Sequence, residues 1–286
     1  MRLPRKPLNW LLIAVAVLVF PPLGLAGWKH LYPTVTADGW QSRVYADEIE
    51  RVSALIRDTD GVLLASQEYL HGKGTVLRLT ADGKRTPVVT GLYKPDGFAS
   101  YRGGIAIGQE NDGKALLWLH ESKTEPLFTG NSIEGVASDG RLLYAIEDRD
   151  DGRLLRYDAA TRQVEVLREH LQQAEAIAVC PDGRLLYTEK KKGHVKQYQA
   201  RGEDATLASG LNEPGFLLCD AKGVWITEDA THMARLLLLK PDGKMETVLS
   251  HLRSAQTILP EGHGRYLLAE QGRNRILEIA PADDAS

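Results

Sequence analysis

Cysteine, methionine and phenylalanine are scarce in this chain, at two, three and four among 286 residues. Two cysteines cannot build a disulfide scaffold, and neither has metal-ligand spacing, which argues against zinc. No nucleophile elbow, phosphate loop or dinucleotide fingerprint occurs, so no motif-borne hydrolase or nucleotide chemistry is expected. Neither sign of charge dominates: 35 Lys and Arg stand against 38 Asp and Glu. Three of the basic residues, Arg2, Arg5 and Lys6, cluster at the start, so the remainder is more acidic, which argues against nucleic acid as a partner. Lys190-Lys191-Lys192 is the one basic run, expected as a solvated loop rather than a phosphate site.

What the chain does have is a repeat. Glutamate closes a short apolar run at Glu68, Glu110, Glu147, Glu189, Glu228 and Glu270, with similar text around each. Self-similarity at roughly 40 residues with alternating apolar content is the pattern of β-propeller blades. One unit shows why. Residues 134–138 read as a strand, Asp139-Gly140 as a tight turn, and residues 142–146 as a second strand ending at Glu147. A polar loop then leads to strands at 153–157 and 163–167, making four antiparallel strands per unit. Asp-Gly pairs recur at Asp60-Gly61, Asp82-Gly83, Asp182-Gly183 and Asp242-Gly243. The expected fold is all-β, a six-bladed propeller over residues 40–286. The sixth unit stops after its third strand, at 275–279, and an open edge is costly. Residues 40–45 are therefore expected to supply the missing strand.

Residues 8–27 are apolar apart from Asn9, with Trp10, Trp28 and Tyr32 near the ends. Residues 1–28 are read as a transmembrane signal anchor and 29–39 as a linker; a cleaved signal peptide is the competing reading, since Gly24-Leu25-Ala26 offers small residues. Either way the basic start predicts an exported propeller, and the anchor reading holds it at the inner membrane by a single pass, on the periplasmic or extracellular side. Cys180 and Cys219 fall at matching places on the first strands of blades four and five. Buried thiols are expected there, because strands of neighbouring blades diverge, although export would permit a bridge.

Segments such as AIAVCPDGRLLYTEKKKGHVKQYQ and GFLLCDAKGVWITED resemble six-bladed propellers of the senescence-marker-protein/gluconolactonase and strictosidine-synthase-like superfamily, and more loosely NHL repeats and streptogramin lyases. WD and kelch signatures are absent. The resemblance runs from about Glu48 to the end. It implies a divalent cation, often calcium, held at the top of the channel by oxygen ligands at the starts of the innermost strands. Aligned on those starts are Arg51, Asp96, Glu134, Glu175, Pro214 and Gln256. Asp96, Glu134, Glu175 and Gln256 are thus the candidate metal ligands, since a hard cation takes several oxygens. The hydrolytic families typically carry Glu-Gly-Pro in blade one and asparagines later; this chain has Arg51 and acids instead. Arg51 neutralising the acids without a metal is the other reading.

The recurring glutamates are expected to brace the blades by pairing with arginines, as Glu147 with Arg153, Glu228 with Arg235 and Glu270 with Arg275. His71, His194 and His232, in loops between second and third strands, are the general-base candidates. Two functions follow. One is a membrane-tethered, cation-dependent hydrolase of lactones or esters; the other is a non-catalytic propeller binding a small molecule or protein at its mouth.

Overall fold

The computed structural model describes residues 31–282 throughout, with residues 15, 18–25, 27 and 28 before them. The chain divides into two compact units, residues 1–35 and 36–286. In the first, residues 18–25 are helical. Residues 8–14 of the expected anchor lie outside the described residues, and no described helix is long and apolar enough to cross a membrane.

In the second unit, consecutive strands hairpin into six antiparallel sheets. The third blade is representative: Ile133–Ser138, Leu142–Glu147, Gly152–Asp158 and Gln163–Leu171, in that spatial order. Its sequence-based expectation holds within a few residues. Burial falls outwards across a blade, as the composition of the strands requires. Inner Val52–Arg57 is nearly all buried, whereas outer Lys123–Thr129 is mostly exposed. The Asp-Gly turns work because glycine accepts the positive φ that closes the hairpin, +77° at Gly61 and +90° at Gly140.

The ring closes as expected. Trp40–Ala46 pairs antiparallel with Arg275–Pro281, Trp40 opposite Pro281 and Val44 opposite Leu277, and completes the sixth blade. Apolar clusters fill each of the six gaps between neighbouring blades, including Leu55, Leu63, Leu267 and Ile276 between the sixth and first. The closing strand contributes Trp40, which packs on the cluster between blades five and six. Its ring lies edge-on to Trp225, with centroids 5.5 Å apart.

The cysteines correct the expectation of free thiols. Cys180 and Cys219 form a disulfide between blades four and five, with Cα atoms 5.0 Å apart. Both belong to the apolar cluster of that gap, and Cys219 pairs with Val224 at the end of its hairpin away from the second-to-third-strand loops. At that end the two inner strands approach instead of diverging.

Candidate functional site: the acidic mouth of the propeller

Three positions repeat in every blade and build the mouth. The first is a residue in the left-handed region just before the inner strand: Arg51, Lys94, Ser132, Gln173, Glu213 and Ser254, with φ between +46° and +52°. Each non-glycine residue held there costs on the order of 1 kcal/mol, so the turn is imposed by the ring. Its carbonyl accepts the backbone N–H of the second position, which follows the second strand: Glu68, Glu110, Asp148, Lys190, Asp229 and Gln271, at 2.8–3.0 Å. The third position lies two residues beyond the first: Ser53, Asp96, Glu134, Glu175, Gly215 and Gln256. In four blades the strand pairing slips here, as between Ile133 and Val136. That bulge turns the third residue out of the ladder and towards the axis.

This frame sorts the six glutamates. Glu147, Glu189, Glu228 and Glu270 end the second strand and point between blades. Glu147 takes Arg153 at 2.6 Å and the Asn131 N–H at 2.8 Å; Glu228 takes Arg235 and the Asn212 N–H. Glu270 pairs with Arg275 and Arg273, and Glu189 with Lys192. The pairs of Glu147 with Arg153, Glu228 with Arg235 and Glu270 with Arg275 are those expected from the sequence; Arg273 and Lys192 are further partners that it did not indicate. Glu68 and Glu110 stand one residue further on, where a strand's alternation puts the side chain on the other face. Gln109 fills the bracing place of its blade, accepting the Tyr93 N–H at 3.0 Å.

Glu68 and Glu110 therefore belong to the mouth. The whole second-position ring lines a cavity of about 240 Å³, together with Lys94, Asp96, Glu134, Glu213, Thr231, Ser254 and Gln256. Seven carboxylates face two lysines there. Arg51, read from the sequence as the possible counter-charge, is exposed and absent from the lining. The lysines take that role. Lys94 Nζ lies 2.8 Å from Glu68 and also contacts Glu110; Lys190 Nζ lies 2.6 Å from both Glu175 and Asp229. The basic run is thus split, not simply solvated: Lys190 turns inwards, Lys191 pairs with Asp150 and Lys192 with Glu189.

Of the four expected ligands, Asp96, Glu134 and Gln256 line the cavity, and Glu175 lies buried behind Lys190. They are not drawn together as one ligand set: Asp96 and Glu134 fall in different triads of close carboxylate oxygens, and Glu175 falls in neither. Asp96 accepts the Ser53 hydroxyl, and Gln256 donates its amide to Asp229 at 2.5 Å. Oxygens within 4.8 Å of one another instead form two triads, Glu68–Asp96–Glu110 and Glu110–Glu134–Asp148. In the second, Glu134 Oε2 and Asp148 Oδ1 are buried without a hydrogen-bond partner. Such orphaned oxygens are expensive unless a proton or a cation meets them. Three converging carboxylates with two unmet oxygens fit a hard divalent cation, with water completing the shell.

The electrostatics agree. Burial pushes the Glu134 carboxyl well above the usual range, and Glu175, Asp96 and Asp148 push it further. Asp96 rises to about 7, through burial first and then Glu68, although Lys94 and Ser53 pull it back. Close packing creates this crowding. A Cβ on Gly97 would stand 1.9 Å from the Glu134 carbonyl oxygen, so the residue after Asp96 has to be glycine. His71 is exposed, His194 opens the third strand of blade four, and His232 lies in the blade-five loop; none lines the cavity. Missed in the sequence were Asp148, Asp229 and the two inward lysines. The signal for Asp148, Lys190 and Asp229 was the residue after each bracing position, legible only once the register is known, whereas Lys94 sits at the turn before the inner strand.

A strictosidine synthase family model matches residues 136–203. Among solved structures, a gluconolactonase from Xanthomonas campestris superposes with a TM-score of 0.72 at 12% identity, covering 87% of this chain and 98% of that one. The fold is that of the gluconolactonase-like six-bladed propellers. An auxiliary nutrient binding protein from Bacteroides thetaiotaomicron shares it (TM-score 0.64, 13% identity, 83% and 69% covered). So does a chain of a nidogen/laminin complex (0.60, 14%, 75% and 91%). No curated protein matches the sequence significantly.

Proposed function

We propose that the protein is an extracytoplasmic, membrane-tethered propeller that hydrolyses lactones or esters with a divalent cation, calcium by preference, in its mouth. The observation that carries this is the orphaned Glu134 Oε2, in a triad with Asp148, which also has an unmet oxygen, and Glu110, the one member that Lys94 touches. Those three residues would hold the ion. When bound, it polarises the substrate carbonyl as a Lewis acid. Asp96, at about 7, is matched to take a proton from water and return it to the leaving oxygen. Ser53 orients that carboxylate through its hydroxyl. The inward lysines spread positive charge around an otherwise acidic cup, where a small polar substrate fits about 240 Å³.

The tether is supported by the apolar stretch at residues 8–27 behind Arg2, Arg5 and Lys6. Trp40 starts the closing strand at the face opposite the mouth, since Glu270 and Arg275 mark the mouth end of the same blade. A second reading, a binding propeller without catalysis, is supported by the paired lysines, which already neutralise part of the acid.

The test is hydrolysis of a panel of sugar lactones and aryl esters by the full chain, with calcium, magnesium or manganese and with chelator. Cation-dependent turnover abolished by Glu134→Gln supports the hydrolase. Ion binding without turnover leaves the binding propeller, and absence of both removes the metal. Protease protection in intact cells tests the export.

A further inference from the structure

Glu110 is shared by the two carboxylate triads, and the triads differ in one respect. In Glu68–Asp96–Glu110 an ammonium is already seated: Lys94 Nζ lies 2.8 Å from Glu68 Oε1 and touches Glu110 Oε2. In Glu110–Glu134–Asp148 two oxygens are unmet. The place filled by the ammonium is therefore one that holds a cation, and its neighbour is the one left to take another. The fold itself does not call for a lysine here, because the same turn in the other blades is made by Arg51, Ser132, Gln173, Glu213 and Ser254. A feature present in one blade serves the site rather than the repeat.

We infer that Lys94 is a tethered cation that occupies the Glu68–Asp96–Glu110 place, and so fixes the mouth at one divalent ion, held by Glu110, Glu134 and Asp148. Two ions sharing Glu110 would make the two-metal arrangement of many hydrolytic sites, with ions about 4 Å apart. Lys94 puts one fixed positive charge where a second ion would bring two exchangeable ones. A chelator then strips one cation from the mouth and leaves the other. This inference rests on the cation reading above, but its measurement separates the two.

The experiment is manganese binding to the full chain by equilibrium dialysis, with electron paramagnetic resonance of the bound ion. The unmodified chain is expected to bind one ion with an isolated six-line signal. Lys94→Gln, which keeps a donor on Glu68 or Glu110 and so favours folding, is expected to bind two, with the signal broadened by coupling. Adding Asp96→Asn should return it to one, and Lys94→Arg should stay at one. One ion in both the unmodified chain and Lys94→Gln overturns the inference. No ion in the unmodified chain but one in Lys94→Gln removes the resident ion yet upholds the tethered cation. No ion in either overturns both, and a Lys94→Gln chain that folds only with manganese present counts in favour, since the metal then replaces the ammonium.

Discussion

Lys190 Nζ stands 2.6 Å from Glu175 Oε2 and 2.6 Å from Asp229 Oδ2, at the ring position where its neighbours carry carboxylates. Glu175 is fully buried, so its charge has no water to fall back on. Burial pushes its pKa well up, and Lys190 is the group that pulls it back. Removing one partner of such a pair leaves the other uncompensated, typically at about 3–5 kcal/mol. Lys190→Met is expected to cost that much in urea unfolding. Glu175→Gln in the same chain should recover most of it, and a double variant no better than Lys190→Met alone would show that the pair is not what holds this sector.

The closing strand makes a second expectation concrete. Trp40 donates its indole N–H to Glu246 at 2.6 Å and packs edge-on to Trp225, both in blade five, while its backbone pairs with Pro281 of blade six. It therefore links the last two blades as well as the two ends of the ring. Trp40→Ala should cost about 3 kcal/mol, near the low end for aromatic truncation because the ring is only half-buried. A chain starting at Asp47 bares the edge of Arg275–Pro281 and should elute as soluble aggregates in size-exclusion chromatography.

The ring and its closure were legible because they rest on local signals: alternation, Asp-Gly turns and a missing strand. The mouth was legible only in part. Asp96, Glu134 and Gln256 fall at the same place in their blades and were found, but Arg51 and Pro214 were aligned to them in place of Ser53 and Gly215. A bulge adds a residue that no one-dimensional spacing reveals, and the same one-residue ambiguity merged Glu68 and Glu110 with the bracing glutamates. Lysines paired across blades, such as Lys190 with Asp229, depend on contacts 39 residues apart and leave no sequence pattern.

The disulfide closes a loop with a sequence separation of 39 between blades four and five. Constraint of the unfolded chain by a loop of that size is worth about 4 kcal/mol in the loop-entropy account. Cys180→Ser with Cys219→Ser, or reduction by dithiothreitol, should lower the urea midpoint accordingly and leave cation binding at the opposite face unchanged. An unchanged midpoint would mean the bond is not formed in the mature protein.

The three loop histidines and Asp96 give opposite expectations for catalysis. Alanine at His71, His194 or His232 should leave kcat/KM for a hydrolysed lactone within about threefold, because none lines the cavity. Asp96→Asn should lower kcat by about 100-fold or more, the usual contribution of a positioned base. A large loss at one histidine, with Asp96→Asn silent, would move the proton transfer to the rim.

Protons and cations should compete in the mouth, and the sign can be worked out from Asp96. Its carboxyl is raised to about 7 in the folded protein, by burial first and then by Glu68, against 3.8 for an ordinary aspartate. Between those values the folded state holds a proton that the unfolded state has released, so stability falls as pH rises from about 4 to 7 and levels off above. Glu134, also raised, by burial and then Glu175, adds in the same direction. The metal-free protein should therefore melt at a higher temperature at pH 5 than at pH 8, unlike a protein whose carboxylates are stabilised by pairing. Saturating calcium favours the ionised triad and should stabilise most at pH 8, flattening or reversing the trend. Glu134→Gln should flatten the metal-free profile and abolish the calcium effect together. A metal-free protein that loses stability steadily from pH 8 to pH 5 would show instead that the lysines keep these carboxylates ionised, and that the cup has no cation to exchange for a proton.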